Sequence, residues 1–83
     1  MNADAIMDIF RDGIKRGGTV TVLMANNAMN MADQKHPLLT AELRHDNLIE
    51  TTTHNDRNII DPDQVLAVWC RDPADESQMG QYA

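Results

Sequence analysis

The feature that most limits what this chain can fold into is the close spacing of turn residues after residue 18. Short runs of β-forming residues alternate there with Asn, Asp, Gly and Pro, which favour turns. The runs are residues 19–25, 38–44, 48–54, 57–60 and 65–70. The connections between most of them are too short for crossover helices. We therefore predict a mainly β fold, with a five-stranded, strongly bent antiparallel sheet that forms a small barrel.

An amphipathic segment precedes these runs. Its apolar residues recur every three or four positions, which places them on one face of a helix: Ile6, Ile9, Phe10 and Ile14. Asn2 or Asp4 can cap its start, and Gly17 and Gly18 end it. We predict a short N-terminal α-helix over residues 2–16 that covers one open end of the barrel.

Two other segments have weaker patterns. Residues 28–37 contain Met29 and Met31 and fit either a helical turn or an extended flap, and Pro37 stops a helix there. Residues 71–83 are acidic and contain almost no apolar side chains, which is typical of a disordered tail. We therefore predict a single domain over residues 1–70, followed by a disordered tail over 71–83.

The composition excludes several classes of site. The chain contains seven Lys and Arg and thirteen Asp and Glu, so its net charge is −6. The acidic excess lies in residues 45–83. A single cysteine gives neither an internal disulfide nor a cysteine-based zinc site. The chain has no P-loop, no Gly-rich dinucleotide turn and no nucleophile elbow. We expect a cytoplasmic protein with no membrane span, metal, cofactor or enzymatic activity.

Two local motifs resemble the Sm-like (Lsm, Hfq-like) family. His45-Asp46-Asn47-Leu48 follows the second predicted strand, where that family often has His-x-Asn-Leu. Residues 60–68 (IDPDQVLAV) align without a gap with the family's second motif, Ile-Arg-Gly-Asp-Asn-Ile-Val-x-Ile. The order of one helix and five strands is similar as well. The resemblance spans residues 19–70 and implies an Sm-like or SH3-like barrel.

The resemblance also implies binding of single-stranded RNA through loops at the pore of a ring. His45 would stack on a base and Asn47 would hydrogen-bond to its edge, as in modules that read unpaired RNA. Arg16 ends the helix, on the surface that faces uridine in the family. Asp61 stands where the family has an arginine, and its negative charge works against a phosphate contact. The predicted RNA site therefore comprises His45, Asn47, Arg16 and, with reversed charge, Asp61.

Members of the family form rings in which the fourth strand of one copy pairs with the fifth strand of the next. This implies a homo-oligomer of about five to seven copies, which would satisfy the strand edges that a short barrel leaves unpaired. The implied interface residues are Arg57, Ile59, Val65, Ala67 and Trp69. Alternation along the fifth strand leaves two possibilities, because Trp69 points outward if Leu66 and Val68 face the core and inward otherwise.

Several alternatives stay open on the sequence alone. The same ring can act as a protein-interaction or assembly module with no RNA, which the acidic second half favours. Asp61 and Asp63 form either a capped turn or a weak site for a divalent cation. His36, His45 and His54 lack the helical spacing of paired metal ligands. RNA binding is the leading prediction, and protein assembly is the alternative.

Overall fold

The computed structural model describes residues 1–25 and 27–72. These residues form one helix, six strands and a 3-10 turn. In chain order they are α1 (Ala3–Arg16), β1 (Thr19–Met24), β2 (Ala28–Ala32), β3 (Thr40–Leu43), β4 (Ile49–Thr52), β5 (Arg57–Ile60), the 3-10 turn Pro62–Gln64 and β6 (Val65–Arg71). The prediction of a mainly β fold with one N-terminal helix is confirmed.

The six strands form two antiparallel sheets of three strands each. The first has the order β2-β1-β6 and the second the order β3-β4-β5. The predicted number of five strands is wrong, because residues 28–32 pair with β1 as the additional strand β2. Within the described residues no ladder of hydrogen bonds joins the two sheets. The small-barrel architecture therefore stays a prediction.

Helix α1 begins and ends where its capping residues predict. The side-chain oxygen of Asn2 accepts a hydrogen bond from the Asp4 N–H at 2.7 Å. Gly17 follows the helix with φ 75°, in the left-handed region that glycine adopts without steric cost. Ile6 and Phe10 are buried, and the helix contacts β1, β3 and β6. The core therefore lies between the helix and both sheets.

Two β-bulges place neighbouring residues on unexpected faces. Met31 is the extra residue of a bulge on β2, and both Met31 and Ala32 are buried. Leu66 is the extra residue of a bulge on β6 and is 62% exposed, whereas Val65 is buried. A strict two-residue alternation therefore misplaces side chains on both strands.

The last strand continues one residue past the predicted domain boundary at residue 70. Arg71 belongs to β6, and Asp72 forms an ion pair with Arg16 at 3.0 Å. The rest of the predicted tail, residues 73–83, lies outside the described residues. In the described part of the chain, no helix has both the length and the apolar character needed to cross a bilayer.

Replacing Thr51 with valine is expected to stabilise the fold. Thr51 is 1% exposed, and its hydroxyl has no hydrogen-bond partner among the described residues. An orphaned buried hydroxyl lowers stability, so Thr51→Val should raise the free energy of unfolding by about 1 kcal/mol in urea denaturation. Thr52→Val is the control, because the Thr52 hydroxyl bonds to that of Thr40 at 2.6 Å. A loss of stability in Thr51→Val would contradict the interpretation.

Candidate functional site

The turn between β3 and β4 carries two of the predicted RNA contacts. The Arg44 N–H donates to the Leu48 carbonyl at 2.8 Å and closes the turn. Asn47 has φ 66°, a left-handed conformation that asparagine tolerates better than most residues. The Asp46 carboxylate accepts a hydrogen bond from the Leu48 N–H at 3.2 Å. This tight turn leaves the side chains of His45 and Asn47 exposed to solvent.

The 3-10 turn between β5 and β6 fixes Asp61 and Asp63. The Asp61 carboxylate accepts a hydrogen bond from the Asp63 N–H at 3.0 Å. The Gln64 N–H donates to the Asp61 carbonyl, also at 3.0 Å. The structure therefore contains the capped turn. Among residues 1–25 and 27–72, no group of three or more His, Cys, Asp and Glu side chains is placed to hold a metal ion.

A cleft of about 530 Å³ lies where these two turns meet the start of α1. Its volume is in the range of small-ligand sites. Asn47 and Asp61 both line it, so the fold brings two of the predicted contacts together. His45 lines a neighbouring depression formed by residues 42–46. The predicted His45–Asn47 pair therefore faces two different surfaces. We call the cleft at the start of α1 the acidic cleft.

The acidic cleft is lined by the Met1 ammonium and by four carboxylates, those of Asp4, Asp46, Asp61 and Asp63. No Lys or Arg side chain lines it in the described part of the chain. Asp46 is paired with Arg44 at 3.0 Å, and the Met1 ammonium donates to the carbonyls of residues 62 and 65 at 3.1 and 2.9 Å. Like charges repel, so this surface disfavours phosphate groups.

An exposed leucine forms an apolar wall of the acidic cleft. Leu43 pairs across the sheet with Ile49, which pairs in turn with Ile60, so the three side chains share one face. Ile49 and Ile60 are fully buried, whereas Leu43 is 43% exposed. The inner face of the second sheet is therefore uncovered where it reaches the cleft.

Arg16 lies at the opposite end of α1 from the acidic cleft. The 14-residue helix is about 20 Å long, so the structure does not bring Arg16 together with Asn47 or Asp61. The Arg16 guanidinium pairs with Asp72 at 3.0 Å and with Asp12 at 3.1 Å. The hydrogen bond to Asp72, followed by the charge of Asp12, raises the pKa of Arg16. Its charge is thus partly offset by two carboxylates.

The predicted interface residues lie on β5 and β6, each at the edge of its sheet in the described chain. Ile59 and Trp69 are 49% and 38% exposed, and Arg57 is exposed as well. Ala67 is half-buried. Val65 is 2% exposed and packs in the core, so its side chain is not available to a partner. Ile59 and Trp69 are the apolar residues of the predicted set that a second chain can contact.

Trp69 points outward in the last strand, as one of the two possibilities has it, but Leu66 does not face the core with Val68 as that possibility requires. Val68 and Cys70 pack against the core, and the Cys70 thiol donates to the Ile9 carbonyl at 3.4 Å. Burial, followed by the charge of Asp12, raises the pKa of Cys70. The thiol therefore stays protonated at neutral pH and has a packing role.

Sequence reasoning missed three residues of interest. Asp4 and Leu43 line the acidic cleft. Leu66 is the most exposed apolar residue of β6. No local spacing connects residues 1–4, 43–48 and 61–63, so the cleft has no sequence motif. The exposure of Leu66 depends on a bulge that alternation does not predict.

Comparison with known proteins gives no match: no family model, no curated protein and no solved structure is significantly similar to this chain. The resemblance to the Sm-like family therefore rests on the two motifs and the order of elements, and stays a prediction.

Proposed function

We propose that this protein is an assembly module, a small Sm-like barrel whose copies join into a homo-oligomeric ring. One observation carries the proposal: β5 and β6 are both sheet edges in the described chain, and they expose Ile59, Leu66 and Trp69 by 49%, 62% and 38%. Edge strands with exposed apolar side chains tend to pair with another chain. Pairing β5 of one copy with β6 of the next would cover both edges.

The strand order supports a head-to-tail arrangement. The two sheets have the orders β5-β4-β3 and β2-β1-β6, and β2 and β3 follow one another in the chain. A barrel formed by joining β2 to β3 would leave β5 and β6 as its two free edges. Two different edges on one copy give a heterologous contact, which closes into a ring if the rotation between copies allows it.

A protein partner fits the charge of the molecule better than RNA does. The net charge is −6, and the cleft that contains Asn47 and Asp61 is lined by carboxylates. RNA binding is the second candidate, because the exposed side chain of His45 lines a depression outside the acidic cleft. An imidazole can stack on an unpaired base. Binding through His45 would use the depression beside the acidic cleft.

Native mass spectrometry and light scattering at several concentrations test both candidates. For the assembly module, we expect a discrete species of several subunits that binds neither oligo-uridine nor oligo-adenosine. A species that takes up an oligonucleotide would move the conclusion to RNA binding. A wild-type protein that stays monomeric at about 100 μM, a concentration at which μM contacts are saturated, would overturn the ring.

Two charge substitutions are expected to prevent assembly, one on each edge. Ile59→Lys alters β5 and Leu66→Lys alters β6, and each places a charge in an apolar contact. Each variant alone should be monomeric. Their mixture should form dimers and nothing larger, because each variant keeps the edge that the other has lost.

Leu39→Lys is the matched control. Leu39 is 42% exposed, comparable to Ile59, and lies outside β5 and β6. This variant should assemble like the wild type. Loss of assembly in Leu39→Lys, or absence of dimers in the mixture, would mean that the contact does not join β5 to β6.

A further inference from the structure

We propose that a pocket on the outer face of the first sheet binds a proline-rich segment of a partner protein. The pocket has a volume of about 350 Å³ and is lined by side chains from all three strands of that sheet: Thr19, Thr21, Asn30, Trp69 and Arg71. We call it the Trp69 pocket. It lies on the face of β6, whereas ring formation would use the edge of that strand. The proposal therefore holds for a single copy and does not depend on ring formation.

The register of the strands places a row of three side chains across this face. Thr21 pairs with Asn30 of β2 and with Trp69 of β6. The neighbouring Val20 and Val22 are fully buried, so Thr21 lies on the face of β1 that points away from the core. Asn30 and Trp69 are two interstrand spacings apart, which is about 9.6 Å. The row therefore joins an amide to an indole ring across the width of the sheet.

A nearly buried threonine holds the amide of Asn30 in place. Thr21 is 7% exposed, and its hydroxyl donates to the Oδ1 atom of Asn30 at 2.9 Å. This bond uses the amide oxygen of Asn30 and leaves the NH₂ group, which carries two donors. The NH₂ group has no hydrogen-bond partner among the described residues. The sheet thus presents an oriented pair of donors to the Trp69 pocket.

Trp69 adds an apolar ring and a further donor. Its side chain is 38% exposed, and its indole N–H makes no hydrogen bond with the described residues. Arg71 also lines the pocket, and a guanidinium carries donors and no acceptor. No Asp or Glu of the described chain lines it. The Trp69 pocket therefore combines an aromatic surface with hydrogen-bond donors, which fits a ligand that has apolar rings and acceptors.

A proline-rich segment has this chemistry. Proline has an apolar ring and no N–H, and a polyproline II helix has no internal hydrogen bonds, so its carbonyls can accept. One turn of that helix contains three residues and is about 9.3 Å long, close to the span from Asn30 to Trp69. A segment that crosses the strands can place a proline ring on Trp69 and a carbonyl at the Asn30 amide. A phosphate group gains nothing from the indole ring, and the hydroxyl groups of a sugar need acceptors as well as donors.

The test is a titration of the isotopically labelled full chain with acetylated and amidated hexaproline. It is followed through the amide NMR signals and the indole N–H signal of Trp69, the one tryptophan of the chain. Hexaproline should shift the amides of residues 19–21, 30 and 69–71 and move the indole signal. A Gly-Ser peptide of the same length should bind at least about tenfold more weakly, because it has no rings and must be ordered on binding.

Two substitutions remove donors while they keep the shape of the Trp69 pocket. Trp69→Phe keeps an aromatic ring without the N–H and should weaken hexaproline binding about three- to fivefold. Asn30→Asp keeps an acceptor for the Thr21 hydroxyl but loses both donors, and should weaken binding about five- to tenfold. Asn47→Asp is the matched control, because it makes the same change at an exposed asparagine outside the pocket. This control should bind hexaproline like the wild type.

Four outcomes would overturn the proposal. They are equal binding of the Gly-Ser peptide, an indole signal that does not move, an equal loss of binding in Asn47→Asp and in Asn30→Asp, and maltotriose or oligo-uridine shifting the same amides more strongly than hexaproline does. The titration is repeated on Leu66→Lys, because Leu66 does not line the Trp69 pocket. Hexaproline should bind this variant like the wild type whether or not the wild type forms rings, which separates the two proposals.

Discussion

Phe10→Ala is expected to lower the free energy of unfolding by about 3–5 kcal/mol. Phe10 is the one phenylalanine of the chain, is fully buried, and lies on the helix face that packs against both sheets. Its loss removes apolar area and leaves a cavity between α1 and the sheets. A domain of this size has a total stability of roughly 4–12 kcal/mol, so the expected loss is a large fraction of the total.

Urea denaturation followed by Trp69 fluorescence measures this effect. Phe10→Leu is the graded variant, with an expected loss of about 1–2 kcal/mol, and it stays measurable if Phe10→Ala does not fold. Leu39→Ala is the exposed control and should change stability by less than about 0.5 kcal/mol. A loss below 1 kcal/mol in Phe10→Ala would mean that the helix contributes little to the core.

Gly18→Ala is expected to cost about 2–3 kcal/mol, through steric overlap. A Cβ on Gly18 would overlap the carbonyl oxygen of Arg71, where β1 and β6 pair through Thr19 and Arg71. A backbone atom has no rotamer that moves it away, so one strand end must shift. The hydrogen bonds at that end of the β1–β6 ladder should then exchange faster with solvent.

A substitution at the neighbouring Gly17 tests the cost of backbone conformation without the cost of steric overlap. Gly17 has φ 75°, and a Cβ there would meet no described atom within 4 Å. Gly17→Ala should therefore cost only about 1 kcal/mol, through left-handed strain at the end of α1. Urea denaturation and hydrogen exchange of both variants compare the two effects. A smaller loss in Gly18→Ala than in Gly17→Ala would contradict the close approach of Gly18 to β6.

Local chemistry made α1 predictable. The Asn2 cap, the apolar spacing around Ile6 and Phe10, and the left-handed Gly17 act within a few residues, so the sequence contains all the information needed. Most turns were predictable for the same reason, because Asp61 and Asp46 cap them through nearby N–H groups. The strand at residues 57–60 was predicted with its observed bounds.

Sequence patterns failed where strands meet partners that are distant in the chain. Met29 and Met31 fitted two conformations, and pairing with β1 decided for a strand. The two alternations considered for the last strand both miss its arrangement, because the bulge at Leu66 lets Val65 and Val68 face the core together while Leu66 is exposed. Register is a property of two strands together, and one strand's residues do not specify it.

The candidate sites show the same difference between features set by near neighbours and features set by distant segments. The sequence by itself determined which residues were available, including Asn47 and Asp61 on turns and Trp69 on the last strand. Only the tertiary structure decided that Asn47 and Asp61 share an acidic cleft with Asp4 and that Arg16 lies about 20 Å away along the helix. The physical reason is that turns and caps form through contacts between near neighbours, whereas the cleft and its charge arise from packing three distant segments against one core.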